Sequence, residues 1–150
     1  MIDSQIVVVL ERESDGYPPV DEEAIWATKA GEGLFRLSAS PTFARGLSCG
    51  DTVHVVPVGE HWYADYVAES GGHSTLRVVL FDDRAHDRLL ELCQLWGCDV
   101  DHTEVAGLFS IDIPPERTFR SLRHALAAGA DEGLWDVDEG NLANKHADEP

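Results

Sequence analysis

Between Leu76 and Leu142 the hydrophobic pattern alternates repeatedly between a period of two and a period of about 3.6 residues, and few folds accommodate that order. Leu76 to Phe81 is a nearly unbroken apolar run, as a strand covered on both faces requires. Asp82 or Asp83 is placed to cap a helix that Gly97 ends, and Ala85, Leu89, Leu92, Cys93 and Trp96 fall on one face of it. Cys98 to Val105 alternates as a strand, Ala106-Gly107 turns the chain, and Leu108 to Ile113 returns. Pro114-Pro115 is read as opening a second helix with Phe119, Leu122 and Leu126 as its stripe and Gly129 as its stop. Leu134 to Asp138 is a last strand. The resulting β-α-β-β-α-β order predicts a ferredoxin-like unit in which the first and third strands, the most apolar ones, are central.

Upstream, turn signals divide short strand-like runs. Ile6 to Leu10 is apolar, Ala24 to Thr28 and Leu34 to Ser38 flank a glycine-bearing turn, and Gly50-Asp51 and Gly59-Glu60 bound two further strands. The expected architecture is α+β: a small antiparallel β-unit, a partial barrel, over residues 1–72, and the ferredoxin-like unit over 73–142. Residues 143–150 are polar, carry no apolar face, and are expected to be a disordered tail.

Charge sets the sign of any partner. The chain has 28 acidic residues against 11 basic ones, a formal net charge of -17. Such a surface repels nucleic acid and anionic lipid, so neither is expected as a partner. No apolar run reaches the roughly 18 residues of a membrane span, and the five-residue run at Ile6 has no basic segment before it, so no signal peptide is read. Cys49, Cys93 and Cys98 lack framework spacing and are read as reduced thiols, which places the protein in the cytoplasm. Lysine occurs only at Lys29 and Lys145, the usage of a GC-rich bacterial genome.

Strand alternation separates two faces of the second unit. With Phe109, Ile111, Ile113, Trp135 and Val137 under the helices, Asp99, Asp101, Asp112, Asp136 and Asp138 point the other way. This acidic plate is the expected docking face for a basic protein, unless it is plain solvent-facing surface or is covered by the β-unit. A second candidate is a pocket between the two units near Arg36, Asp51, His73, Ser74 and Arg77. Its serine and histidine are adjacent and so point to opposite faces of a strand, and no nucleophile elbow accompanies them. Seven histidines occur without an H-E-x-x-H or paired C-x-x-C pattern, so no metal site and no cofactor are expected.

Several segments together resemble a family of bacterial proteins defined as domain of unknown function 4265. They are Ala24-Ile25-Trp26-Ala27, Gly33 to Leu37, Ser40 to Leu47, Gly50-Asp51-Thr52-Val53, Ser70 to Val78 and Leu95-Trp96-Gly97-Cys98. The resemblance runs from about Val20 to Leu142. It brings no activity and no catalytic residue, and it marks Pro41–Gly46 and His73–Arg77 as segments that matter to the family. The functional expectation is a non-enzymatic acidic protein that sequesters a basic partner, of the immunity-protein or nuclease-inhibitor type. The alternative is a small enzyme or small-molecule binder using the His73–Arg77 region.

Overall fold

The computed structural model describes residues 3–149. The chain is α+β, with an N-terminal β-sheet unit followed by a mixed β/α unit. Strands β1 (Asp3–Val9), β2 (Glu22–Gly31), β3 (Leu34–Leu37), β4 (Thr52–Val58) and β5 (His61–Glu69) pair in sequence order, all antiparallel. β1 also meets β5, in parallel, with Ile6 opposite Trp62 and Val7 opposite Tyr63, so every strand has two neighbours. The antiparallel β-unit expected from the sequence is present, and β1–β5 is the one parallel pair among the described residues. The inward side of the alternation supplies the core: Ile6, Ile25, Ala27, Phe35, Leu37, Val53 and Val55. Ala44 and Leu47, from the long β3–β4 connection, seal it.

The second unit contains β6 (Ser74–Leu80), α1 (His86–Leu95), β7 (Asp99–His102), β8 (Leu108–Ile113), α2 (Arg120–Asp131) and β9 (Trp135–Asn141). Its strands lie in the order β7-β8-β6-β9, all antiparallel. β6 and β8 are central and carry the apolar side chains that such positions demand. Leu76, Val78, Ile111, Ile113 and Trp135 pack under Leu89, Cys93, Phe119, Leu122 and Leu126 in a single core. Asp82 accepts the Arg84 N–H and starts a 3-10 turn that leads into α1, and Gly97 follows α1 with φ of 72°, a conformation glycine adopts without strain.

Three expectations from the sequence are corrected. Pro114-Pro115 does not open α2, which begins at Arg120; the prolines form a turn closed by the Arg117 N–H on the Pro114 carbonyl. Gly129 does not end α2 but lies inside it, because the Trp135 ring fills the space where any Cβ would stand. The segment 143–149 is not disordered. Asn144–Ala147 forms a helical turn, α3, and His146 is 2% exposed. Its Nδ1 lies 2.5 Å from Ser74 Oγ, and its Nε2 lies 3.1 Å from both the Pro114 and Arg117 carbonyls. Polar bonds to a strand end and a loop hold this segment, which is why the lack of an apolar stripe was a poor guide. Glu149 then accepts N–H groups of Phe119 and Arg120 and the Thr118 hydroxyl, capping α2 from 29 residues downstream. Position 150 lies outside the described residues.

Candidate functional site

The two units meet along a polar seam built by the β3–β4 connection. Glu23 on β2 shapes this connection: its carboxylate accepts the backbone N–H groups of Thr42, Phe43 and Ala44. Three consecutive donors on one carboxylate fix the Pro41–Gly46 segment against β2. The shaped loop then reaches the face of the second sheet that the helices leave bare. The Gly46 N–H donates to the Gly140 carbonyl, Ser48 Oγ lies 2.6 Å from Thr75 Oγ1, and Asn141 Nδ2 donates to Ser48 Oγ. Ser48 and Thr75 are fully buried, so their mutual bond offsets the loss of water.

At one end of the seam sit Asp51, His73 and Asp112. Asp51 accepts the N–H groups of Ser48 and Gly71 at 3.0 and 2.8 Å. His73 Nδ1 stands 2.9 Å from Asp112 Oδ1, and the imidazole packs on Gly50, where a side chain would crowd it. Burial pushes the Asp112 carboxyl above the usual aspartate range against the opposing pull of His73, and Asp99 and Asp101 add to the rise. Burial likewise raises Asp51, offset in part by its two backbone donors. A histidine oriented by a carboxylate is a general-base arrangement in form. The thiol next to Gly50 does not complete it: burial, then Asp112, Asp101, Asp51 and Asp99, push Cys49 up to about 11, which keeps it a protonated, poorly nucleophilic thiol.

At the other end the buried charge is a cation. Arg77, on the central strand β6, is 3% exposed. It donates through Nη2 to the Ala44 carbonyl, its Nη1 is 3.7 Å from Asp138, and its Nε has no partner among the described residues. Arg45 reaches the same carboxylate, with Nη2 3.1 and 3.0 Å from its two oxygens. Gly140 is a glycine because the Arg77 guanidinium occupies the place of its side chain.

The structure puts the five aspartates on one face of the sheet but not in one environment. Asp99 is paired opposite Asp112, and Asp101, Ser110, Arg77 and Asp138 form one cross-strand row. Asp99, Asp101 and Asp136 are exposed; Asp112 is buried against His73, and Asp138 is held between two arginines. Of the second candidate group, Asp51 and His73 come together, Arg77 lies at the other end of the seam, Ser74 faces His146 on the helix side, and Arg36 is exposed on β3. Sequence reasoning passed over Ser48 and Tyr17, and it marked Arg45 only as part of the Pro41–Gly46 segment. Gly140, two residues past the strand read at Leu134–Asp138, lies inside β9 and marks the close approach of Arg77.

Three cavities flank the seam. One of about 690 Å³ is lined by Glu22, Glu23, Glu104, Val20, Val105 and Phe43 among others, with no arginine or lysine. Cavities of about 420 and 220 Å³ share Tyr17 and Arg45, the smaller also touching Arg77. Among the described residues no group of three or more His, Cys, Asp or Glu side chains is placed to hold a metal ion, and no helix is long and apolar enough to cross a membrane.

Comparison with solved structures finds a hypothetical protein from Neisseria gonorrhoeae with a TM-score of 0.83 at 20% identity, covering 95% of this chain and 97% of that one. At this identity the likeness concerns the fold. No curated protein matches. The sequence profile of DUF4265, a domain of unknown function, matches residues 23–137.

Proposed function

Because the chain belongs to the DUF4265 family, whose description carries no activity, we propose a function from its own surface: an acidic, non-enzymatic protein that binds and restrains a basic protein in the bacterial cytoplasm. In this reading the ring of five strands is a small barrel and the second unit a ferredoxin-like module, joined rigidly by the polar seam. The observation that carries the reading is the roughly 690 Å³ groove, walled by Glu22 and Glu104, and by Glu23 whose carboxylate the loop already engages, without a single lysine or arginine, on a chain of net charge -17. Val20 and Val105, both exposed, offer apolar surface for the stem of a lysine or arginine whose charged end meets Glu22 or Glu104. Asp99 and Asp101 extend the negative field along β7. Asp112 and Asp138 are engaged within the fold, so the partner surface we favour is the groove and the β7 rim rather than the whole plate.

The test begins with capture of a basic protein from the native cell at low salt, followed by association kinetics with that protein purified. The double variant Glu22→Gln/Glu104→Gln is expected to slow association about tenfold at low salt, with the difference fading at high salt. An unchanged rate at low salt removes the groove as the docking site, and salt-insensitive association removes electrostatic recognition.

A further inference from the structure

The two edges of the second sheet are finished differently. The strands run β7-β8-β6-β9, so β7 and β9 each have one neighbour. In an antiparallel pair, bonded and non-bonded residues alternate, and a non-bonded residue turns its N–H and C=O outward. Thr103 N–H donates to the Leu108 carbonyl, so in register Asp101 bonds to Ser110 and Asp99 to Asp112, while Val100 and His102 face outward. Phe81 N–H donates to the Leu134 carbonyl, and the same alternation turns Val137 and Glu139 outward on β9. The β9 groups are occupied. Asp136 Oδ1 accepts the Val137 N–H at 3.0 Å, Arg45 Nη1 donates to the Glu139 carbonyl at 3.4 Å, and the Gly46 N–H donates to the Gly140 carbonyl. Among the described residues no hydrogen bond reaches the outward groups of Val100 or His102. Free donors and acceptors on a strand edge are a template for another strand, which is why edges are usually blunted as β9 is.

We infer that β7 receives an extended segment of a basic protein as an added antiparallel strand, with Lys or Arg opposite Asp99 and Asp101. Side chains select that occupant. A second copy of the chain fits poorly: antiparallel pairing of β7 with itself, centred on Val100 or Asp101, sets aspartate against aspartate between two chains of net charge -17. In the added pair Val100 and His102 are the bonded positions, so Asp99 and Asp101 fall at non-bonded ones, where facing Cα atoms are about 4.5 Å apart and side chains meet most closely. Both aspartates are exposed and share one face, so the matching segment carries its cations at alternate positions. Backbone bonds supply the affinity and the charges choose the sequence, since exposed ion pairs alone contribute little. The strand continues past His102, which lines the acid-walled groove together with Glu22 and Glu104. The assignment rests on the basic partner of the proposed function and adds the form that partner presents.

The experiment titrates the full chain with the capped peptide Thr-Val-Arg-Val-Arg-Val-Thr and follows amide hydrogen exchange by NMR. At saturation the Val100 and His102 N–H groups are expected to gain about tenfold protection. N-methylation of the central valine of the peptide, which keeps its charge and blocks a bond to β7, weakens binding at least about tenfold; N-methylation of one arginine, whose N–H faces away, changes it less than about twofold. His102→Pro removes an N–H that no strand of the protein uses, so it leaves the circular dichroism spectrum unchanged and weakens binding about tenfold. Asp99→Asn/Asp101→Asn weakens it about tenfold at low salt, with the difference fading at high salt. Strand addition falls if the peptide methylated at the central valine binds as well as its parent, if Val100 and His102 gain no protection, or if a peptide with glutamate in place of both arginines binds equally. A basic protein captured at low salt whose association His102→Pro leaves unchanged also overturns strand addition while keeping the proposed function. Peptide binding as expected with no basic protein captured from the native cell overturns the proposed function and keeps the open edge as a strand-binding surface.

Discussion

At the His73 end of the seam a carboxylate is buried and an imidazole faces it; at the Arg77 end the cation is buried and its carboxylate, Asp138, stays half in water. The first end is shut by backbone: Gly71 lies so close to the Gly50 carbonyl that a Cβ has no room. The second is shut by one long side chain and leaves cavities beside it. The difference shows how one seam serves two purposes. Backbone contact fixes the spacing of the units, while a guanidinium, with donors at several points along a plane, bridges them through the Ala44 carbonyl and Asp138.

The sharpest test of that contrast is Arg77→Met. It strips the Ala44 carbonyl and Asp138 of a buried partner and is expected to cost about 3 kcal/mol in urea unfolding, whereas His73→Gln, which can keep a bond to Asp112, costs about 1 kcal/mol. Equal losses would mean that both ends are held alike. Next is Gly71→Ala, which drives a methyl into backbone and is expected to lose about 2 kcal/mol; Gly140→Ala, which meets a side chain able to shift, loses about half as much. A reversed order would place the rigid end at Arg77. The smallest effect concerns pH. Asp112 is raised when folded, chiefly by burial, so its contribution to stability is full below the ordinary aspartate pKa and is lost as pH rises through the folded value. The Tm of wild type minus that of Asp112→Asn should therefore shrink as pH rises from about 4 to about 6. A difference that grows over that window makes the His73 pairing, rather than burial, the dominant influence on Asp112.

Much of the second unit was legible because its alternation is strong. Phe109, Ile111 and Ile113, then Trp135 and Val137, marked the helix-covered face, and Gly97 marked the end of α1. The opposite face was legible as a face and not as an interface. Asp99 in water and Asp112 against His73 look the same in a sequence, since alternation tells which side a residue takes and nothing about what covers it. Bonds such as His73–Asp112 and Ser48–Thr75 join segments 39 and 27 residues apart, beyond any local period. Gly129 was misleading for a related reason: it reads as a helix stop until the Trp135 ring that demands it is in place.

The cap that Glu149 places on α2 also has a meaning in the order of the chain. Arg120 and Glu149 are 29 residues apart, and Ser74 waits 72 residues for His146. The first turn of α2 therefore has its N–H groups satisfied only by a residue that the chain supplies after β9. His146 and Glu149 follow every strand and both long helices of this unit in the chain, so the loop end of β6 and the start of α2 are closed by one short segment that comes after both.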